Sequence, residues 1–413
     1  MNQQTVNSDD LLNNLTNVKG IKCWGAHTGI KSMRRDLAII YSEQPANASA
    51  TFTQNDVVAE PVKLSKKHVV DNRAQVIVIN AGNANAGTGE QGYQGAVAMA
   101  RTTAEALNID QELVLVASTG LIGEPFPTDD IVAGIKENIP KLSDSPKAGS
   151  FAANAILTTD TFAKEGHISY ELDGKEVNIA GIAKGSGMIH PNMATMLAFI
   201  VTDAAIEKKL LDRTVKKAVD RSFNMITVDG DTSTNDMVAV LANGMAGNKE
   251  IKSEQDPNFA IFEEHLSEMM MHLAKLIISD AEGASKFVEY RVTNAQSYEI
   301  ARKIARAVSD SLLVKTAMFG RDPNWGRIIM AAGNAGANFD AGTVDLYMGN
   351  DKELVQVLEK GVPKEFNKNL MKKLLRESHI RVHMALNTGQ QEATAWGSDI
   401  TTDYVMFNSV YTT

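Results

Sequence analysis

The segment from Lys184 to Leu197 combines the residue types that a self-cleaving chain needs. It reads K-G-S-G-M-I-H-P-N-M-A-T-M-L, so a Gly-Ser-Gly turn and a proline lead to the small residue Ala194 and then to Thr195. The Thr195 hydroxyl can attack the preceding carbonyl, and hydrolysis of the resulting ester would make Thr195 a new N-terminus. The local pattern alone also fits a glycine-rich turn before a buried strand, where a threonine only packs.

A threonine at a new N-terminus carries a nucleophile and a base on one residue. Its hydroxyl alone is a poor nucleophile, and an adjacent free amine can take the hydroxyl proton. An α-amino group has a pKa of about 8, so a useful fraction of it is neutral at physiological pH. These residues therefore predict acyl transfer through an ester on Thr195.

The wider sequence resembles the ornithine acetyltransferase family, the bifunctional glutamate N-acetyltransferase/amino-acid acetyltransferases of arginine biosynthesis. The resemblance runs from about Gly25 to Thr413, which is nearly the whole chain. Besides the segment around Thr195, it is carried by T-F-T-Q-N (51–55), N-A-G-N-A-N-A-G-T-G (80–89), S-T-G-L-I-G-E (118–124), T-T-D-T (158–161), D-G-D-T-S-T-N-D (229–236), G-R-D-P-N-W-G-R (320–327) and the tail N-S-V-Y-T-T (408–413).

The resemblance implies a self-cleaving acetyltransferase. Cleavage between Ala194 and Thr195 would give an alpha chain, residues 1–194, and a beta chain, residues 195–413, that begins with the nucleophile. The family moves acetyl from N2-acetyl-L-ornithine to L-glutamate through an acetyl-threonine. The resemblance also implies an α2β2 heterotetramer of the two fragments and no cofactor. Whether acetyl-CoA is a second acetyl donor stays open.

Ser118-Thr119-Gly120 follows a predicted buried strand and, taken alone, reads as a tight turn. The tetrahedral intermediate of acyl transfer carries an oxyanion that needs hydrogen-bond donors, often backbone N–H or hydroxyl groups. In the family that this chain resembles, the matching threonine and glycine have this role. Thr119 and Gly120 are therefore the expected oxyanion hole.

The resemblance also implies a set of substrate-binding residues, which are Thr158, Lys184, Thr195, Glu282, Asn408 and Thr413. A lysine near the new amine of Thr195 disfavours the charged form of that amine, and it could hold a substrate carboxylate. A carboxylate such as Glu282 suits the amino side chain of ornithine. The chain departs from the family at Ala281, usually glycine, and at Ser409 and Val410, where the family more often has a small residue and an acid.

Composition limits the class of protein. The chain has 413 residues, a net charge of −9 and a pI of about 5.5, so nucleic acid is not expected as a partner. Cys23 is the one cysteine, which excludes an intrachain disulfide and fits a reducing compartment. The polar N-terminus lacks a signal-peptide core, and the apolar stretches are too short to span a membrane. The sequence predicts a cytoplasmic protein.

The hydrophobic pattern predicts a mixture of strands and helices, and hence an α+β or α/β sandwich. The predicted strands are 37–41, 50–53, 76–80, 113–117, 167–172, 175–182, 196–201, 312–318, 379–386 and 392–396, and the predicted helices are 91–107, 206–223, 297–308, 363–376 and one that begins at Asp256-Pro257. The family resemblance implies a more specific fold. That fold is α+β, a layered α-β-β-α sandwich with a smaller C-terminal α/β lobe.

Other functions remain open from the residues alone. A self-processing aminopeptidase of related fold would use water as the acyl acceptor, and a non-catalytic binding protein would leave Thr195 uncut. Gly87 to Gly92 reads G-T-G-E-Q-G, but residues 81–86 separate it from the preceding strand, which favours a loop with positive φ angles over a nicotinamide site. No histidine has partners at metal-binding spacing, so we expect no metal, and His190 is expected to be structural.

Overall fold

A computed structural model describes residues 14–190 and 196–410. Its strands are β1 Ile21–Ala26, β2 Leu37–Phe52, β3 Arg73–Asn83, β4 Val114–Leu121, β5 Lys164–Leu172, β6 Lys175–Lys184, β7 Leu197–Thr202, β8 Ile226–Thr227, β9 Met237–Ala242, β10 Phe287–Ala295, β11 Asp345–Asn350, β12 Leu354–Glu359, β13 Val362–Pro363, β14 His379–Ala385 and β15 Gln391–Ser398. Its helices are α1 Glu60–His68, α2 Gly89–Leu107, α3 Thr128–Asn138, α4 Pro146–Ala155, α5 Lys208–Arg221, α6 Pro257–Ser279, α7 Tyr298–Asp310, α8 Leu312–Phe319, α9 Trp325–Gly333, α10 Lys368–Leu374 and α11 Thr402–Val410. Ala194, Thr195 and Thr413 lie outside the described residues.

The first sheet has the strand order β4-β3-β2-β9-β7-β6-β5, and β1 also pairs with β2. The long strand β2 connects its two halves. β2 pairs with β3 from Leu37 to Tyr41 and again, after a register shift, at Ala46 and Asn47. From Asn47 to Phe52 it pairs with β9, so one long strand belongs to both halves of the sheet.

The two halves of this sheet pack face to face. One apolar cluster joins Ile40 and Ile77 of the first half to Ile182 and Phe199 of the second. Helices α1, α2 and α3 cover the outer face of the first half, and α5 and α6 cover the outer face of the second. The order of layers is therefore helix, sheet, sheet, helix, and the predicted α-β-β-α sandwich is confirmed.

The second sheet forms a smaller C-terminal lobe with the strand order β13-β12-β11-β14-β10-β15-β8. Helix α7 packs on β10 and β15 through Ala301, Ile304, Ala305 and Val308, which recur at helical spacing and are all buried. The expected C-terminal α/β lobe is thus present. Helix α6 packs on β5 and β6 of the first sheet and also on β15, so it belongs to both lobes.

Most predicted elements near the site are confirmed. The hairpin β5-β6 turns at Asp173-Gly174, where φ is 53° and 71°. Helix α6 begins where it was predicted, because the Asp256 side chain accepts a hydrogen bond from the Asn258 amide and Pro257 fits the first turn.

Three predictions of elements were wrong or inexact. Residues 312–318 form helix α8 rather than a strand, because Ser311 caps the helix and Val314 and Met318, four residues apart, are both buried. The helix predicted over 363–376 begins only at Lys368, after a cap by Asn367, and Val362–Pro363 pairs as a strand with β12. The strands predicted over 37–41 and 50–53 are one strand.

Candidate active site

One cleft contains every predicted site residue that the structure describes. It has a volume of about 230 Å³, and Thr119, Gly120, Thr158, Lys184, Glu282 and Asn408 line it together with Ala84, Ile122, Thr159, Gly187, Met188, Asp229, Asp231, Ser233, Asn235 and Tyr404. The predicted nucleophile Thr195, its neighbour Ala194 and the terminal Thr413 are outside the described residues. Met196, the residue after the threonine, lines a small cavity that shares Thr119 and Lys184 with the cleft.

Thr119 and Gly120 lie near the end of β4, where the chain approaches β3 closely. Gly120 lies opposite Gly82, and both have positive φ, 132° and 113°. A Cβ added at Gly120 would be 2.3 Å from the carbonyl carbon of Gly82, so the position accepts only glycine. This backbone geometry holds Thr119 and Gly120 at the cleft, where the expected donors of an oxyanion hole must be.

Asn235 holds the ends of β3 and β4 together, and the sequence analysis did not single it out. Its side-chain amide donates to the carbonyl of Ala84 at 2.6 Å and to the carbonyl of Ser118 at 2.9 Å. The signal that could have found it is its place in the stretch 229–236. The amide thereby holds Ala84, which follows β3, close to Ser118 of β4, the residue before the predicted oxyanion hole.

Lys184, at the end of β6, belongs to a buried group of charges. Its Nζ is 3.9 Å from Oδ2 of Asp160. The other Asp160 oxygen accepts hydrogen bonds from Lys164 Nζ at 2.6 Å and from the Gly185 amide at 2.7 Å. Lys164 in turn contacts Asp280 at 2.6 Å. Burial opposes ionisation of Asp160, but Lys184 and Lys164 prevail and lower its pKa to about 2.

Asp160 also orients Thr158, because its Oδ2 accepts the Thr158 amide at 3.1 Å. Sequence reasoning found Thr158 and Lys184 by resemblance and missed the carboxylate between them. Asp160 stands inside the stretch 158–161, but its role depends on β6, which follows it in the chain and packs back onto it. The site thus presents a lysine ammonium beside a threonine, which suits an anionic substrate group.

Glu282 follows the end of α6 and faces the glycine turn after β6. Its amide donates to the Ser186 carbonyl at 3.0 Å, and a Cβ at Gly187 would lie 2.2 Å from its carboxylate. Asn408 of α11 donates to the same carboxylate at 3.2 Å. The turn therefore needs glycine to admit Glu282, and the predicted pair Glu282 and Asn408 is in contact at one side of the cleft.

Asp229 anchors the segment that leads towards the predicted cut. Its carboxylate accepts the amides of Met188 at 2.6 Å and Ile189 at 2.9 Å, and Tyr404 of α11 donates its hydroxyl at 3.1 Å. Burial raises the pKa of Asp229, although these donors partly offset it, and burial together with Asp229 raises the pKa of Tyr404. Asp229 thus holds the chain upstream of the predicted cut and joins it to α11.

His190 contacts the second lobe. Its Nδ1 is 3.2 Å from Asp310, and its Nε2 is 3.4 Å from Arg306. These contacts support the structural role expected for it. Among residues 14–190 and 196–410, no group of three or more histidine, cysteine and acidic side chains is placed to hold a metal ion. Within the same ranges, none of the helices is long and apolar enough to cross a membrane.

Two curated proteins align with almost the whole of this chain. A protein named arginine biosynthesis bifunctional protein ArgJ, from Caldanaerobacter subterraneus, is 48% identical over 395 residues, which cover 96% of this chain and 97% of its own. The protein of the same name from Oceanobacillus iheyensis is 43% identical over 417 residues, which cover 100% of both chains.

Two solved structures are also similar to parts of this chain. The crystal structure of the bifunctional protein argJ from Bacillus halodurans is 40% identical and covers 43% of this chain and 93% of its own, with a TM-score of 0.42. Ornithine acetyltransferase from Mycobacterium tuberculosis, complexed with ornithine, is 31% identical and covers 44% of this chain and 96% of its own, with a TM-score of 0.40. Because residues 22–413 match the ArgJ family model and the two relatives align over almost the entire chain, the chain belongs to the ArgJ family, and the predicted membership of the ornithine acetyltransferase family of arginine biosynthesis is confirmed.

Proposed function

We propose that this chain cuts itself between Ala194 and Thr195 and then moves acetyl from N2-acetyl-L-ornithine to L-glutamate through an acetyl-Thr195 ester. One observation carries the proposal. Residues from distant parts of the sequence line one cleft, and the small cavity that contains Met196 adjoins it. The covalent neighbour of the predicted nucleophile is therefore next to the predicted oxyanion donors and substrate-binding side chains.

The cut gives an alpha chain, 1–194, and a beta chain, 195–413. Strand β6 of the first chain remains paired with β7 of the second. The pairing runs from Ile179 opposite Thr202 to Lys184 opposite Leu197. Strand β2 of the first chain also remains paired with β9 of the second. These ladders support the proposal that both fragments stay in one molecule, because separating them would expose strand edges and core.

In the transfer reaction, the new amine of Thr195 takes the proton of its own hydroxyl as the oxygen attacks the acetyl carbonyl. Thr119 and Gly120 donate hydrogen bonds to the oxyanion, and loss of one such donor would raise the barrier by roughly 3 kcal/mol. The C–N bond of N2-acetyl-L-ornithine then breaks, and ornithine leaves with the proton. The amine of glutamate attacks the ester, forms N-acetyl-glutamate and returns the threonine hydroxyl.

The charges of the cleft suit these substrates. The ammonium of Lys184 can pair with the α-carboxylate that both amino acids carry, and Thr158 stands next to it. Glu282 can pair with the side-chain ammonium of ornithine, and Asn408 holds that carboxylate in place. Thr413 would complete this side of the site from the tail. Acetyl-CoA is a candidate second donor of the acetyl group, and incubation with it in place of N2-acetyl-L-ornithine tests this.

Assembly into an α2β2 heterotetramer in the cytoplasm is part of the proposal. The outer face of α11 exposes Val405, Met406 and Val410, with 61%, 65% and 80% of each residue accessible. Exposed apolar side chains on one helix favour burial against another protein surface. Analytical ultracentrifugation should give the mass of two alpha and two beta chains, and a stable single pair would contradict this assembly.

Intact-mass spectrometry of the denatured protein, beside a Thr195→Ala control, tests the main proposal. The expected result is two polypeptides, the second of which begins at Thr195, and an uncut control. Incubation with N2-acetyl-L-ornithine should add one acetyl group to the beta chain, and glutamate should remove it as N-acetyl-glutamate. Release of acetate alone would indicate a hydrolase instead, and a single uncut chain without an adduct would contradict the proposal.

A further inference from the structure

Two opposite charges line the cleft, and the proposed function assigns one end of the substrate to each. Lys184 would pair with the α-carboxylate, and Glu282 with the ammonium of the ornithine side chain. Lys184 ends β6 and Glu282 follows α6, so the two charges come from distant segments of the sequence. A site of this kind can select a ligand by its length only if the two charges are held at a fixed spacing.

Lys164, the first residue of β5, is a buried charge that the proposed mechanism does not use. It is 0% exposed. Its Nζ donates to Oδ1 of Asp160 at 2.6 Å, to Oδ2 of Asp280 at 2.6 Å and to the Phe162 carbonyl at 3.4 Å. An ammonium has three N–H groups, so each of them has an acceptor. Lys164 therefore bridges two carboxylates that belong to different segments of the fold.

The Asp160 side of this bridge leads to the lysine that would bind the substrate carboxylate. Oδ1 of Asp160 also accepts the Gly185 amide at 2.7 Å, and Oδ2 lies 3.9 Å from Lys184 Nζ. Oδ2 further accepts the amide of Thr158, which lines the cleft, at 3.1 Å. Asp160 thus holds the end of β6 against the loop that carries Thr158.

The Asp280 side leads to the carboxylate that would bind the substrate ammonium. Asp280 ends α6 and is separated from Glu282 by a single residue. Its carboxylate accepts the amide of Thr161 at 2.9 Å and also the Thr161 hydroxyl. The Glu282 amide donates to the Ser186 carbonyl at 3.0 Å. Glu282 is therefore held from one side by the end of α6 and from the other by the turn after Lys184.

Burial makes this bridge rigid. Asp160 is 1% exposed and Asp280 is 7% exposed, so neither carboxylate can readily exchange Lys164 for water. Charge-assisted hydrogen bonds are strong in such surroundings, and breaking one would leave an uncompensated buried charge. With Lys184 beside Asp160, two lysines face two aspartates, and the group as a whole is neutral.

Given the proposed function, on which this inference rests, we propose that Lys164 is a positioning residue that sets the substrate length. By bridging Asp160 and Asp280, it fixes the spacing between Lys184 and Glu282. Lysine is one methylene group longer than ornithine, and a single methylene that a site cannot accommodate changes binding by about 10-fold or more. The wild-type protein should therefore bind ornithine at least about 10-fold more tightly than lysine.

Isothermal titration calorimetry of the full-length protein with free ornithine and free lysine tests this. Binding is measured rather than turnover, so the result does not depend on the rate of the chemical steps. Lys164→Met removes the ammonium and leaves Asp160 and Asp280 to repel each other. This variant should lower the preference for ornithine over lysine to less than about 3-fold, mainly by weakening the binding of ornithine.

A matched control is Lys286→Met, in the second lobe. Lys286 is 6% exposed, and its Nζ donates to the carbonyls of Arg376 and Glu377 at 2.9 Å and 2.7 Å. This variant also loses a buried ammonium, but it leaves the bridge intact and should keep the wild-type preference for ornithine. Loss of that preference in both variants would indicate general destabilisation and would overturn the specific role of Lys164.

Asp280→Asn is the milder second variant. It keeps the size of the side chain and replaces the charged bond to Lys164 with a neutral one. The preference for ornithine should fall in the same direction as in Lys164→Met, by a smaller factor. If Lys164→Met elutes as misfolded protein from gel filtration, an unchanged preference in Asp280→Asn would overturn the role of the bridge.

The wild-type protein separates this inference from the proposed function. Failure to bind ornithine at all would overturn the proposed function, and the role of Lys164 with it. Equal binding of ornithine and lysine would overturn the role of Lys164 alone, whatever the variants do. Diaminobutyrate, which is one methylene group shorter than ornithine, should be rejected as lysine is, and tight binding of it would likewise contradict a fixed spacing. A folded Lys164→Met that keeps the full preference for ornithine would also overturn the inference.

Discussion

Replacing Asp160 with asparagine should destabilise the folded protein by roughly 2.5 kcal/mol at neutral pH. The carboxylate is 1% exposed and is held by Lys164 at 2.6 Å and the Gly185 amide at 2.7 Å. Burial opposes its charge, yet Lys184 and Lys164 lower its pKa from 3.8 to about 2. At about 1.4 kcal/mol for each unit of pKa, the lowering of the Asp160 pKa corresponds to a loss of roughly 2.5 kcal/mol in the free energy of unfolding.

Because the pKa of Asp160 is lowered in the folded protein, the sign of the pH dependence of stability follows. Because the folded-state pKa lies below that of the unfolded chain, the stabilisation is complete above about pH 4 and is lost as the pH falls towards about 2. The difference in unfolding free energy between wild type and Asp160→Asn should therefore be constant from neutral pH to about pH 5. Below about pH 4 it should shrink.

Urea denaturation measures this difference. Both proteins should carry Thr195→Ala, so that each unfolds as one chain of fixed covalent structure. Asp110→Asn, which removes an exposed acid whose side chain makes no cap hydrogen bond, is the matched control and should cost less than about 0.5 kcal/mol. A cost for Asp160→Asn below about 1 kcal/mol at pH 7, or one that does not decline in acid, would refute the reasoning.

Three further predictions concern the cleft directly. Gly120→Ala places a Cβ 2.3 Å from the Gly82 carbonyl carbon, so it should displace the predicted oxyanion donors and lower kcat by about 100-fold, as measured in the steady state of acetyl transfer; an unchanged kcat would remove Gly120 from that role. Glu282→Gln loses a charged partner for the ornithine ammonium and should raise KM for N2-acetyl-L-ornithine by about 10-fold or more, with less effect on kcat. Asn408→Ala should show a smaller change in the same direction, and equal effects on glutamate would count against this assignment.

The sequence predicted most of the cleft because its residues belong to recognisable stretches. Thr119, Thr158, Lys184 and Glu282 were found by resemblance, and the structure brings all of them together. The side chains that hold them were missed for a physical reason. Asp160, for example, gains its role from Lys184 on a later strand, and no local pattern reports a contact that the fold creates.

The elements show the same division between local and tertiary information. The β5-β6 hairpin and the start of α6 depend on Asp173-Gly174 and Asp256-Pro257, whose preferences are local. The segment 312–318 was taken for a strand because it is short and apolar, and such a run does not reveal its period. Its cap at Ser311 was the available sign of a helix.

The strand order of the first sheet has a consequence for the lifetime of the enzyme. In the order β4-β3-β2-β9-β7-β6-β5, strands β9 and β7 come from residues after the proposed cut and lie between strands that come from residues before it. A cut molecule that unfolds must therefore bring two separate chains together again to rebuild one sheet. Its refolding would depend on protein concentration, and at low concentration its working life would be set by the rate of unfolding alone.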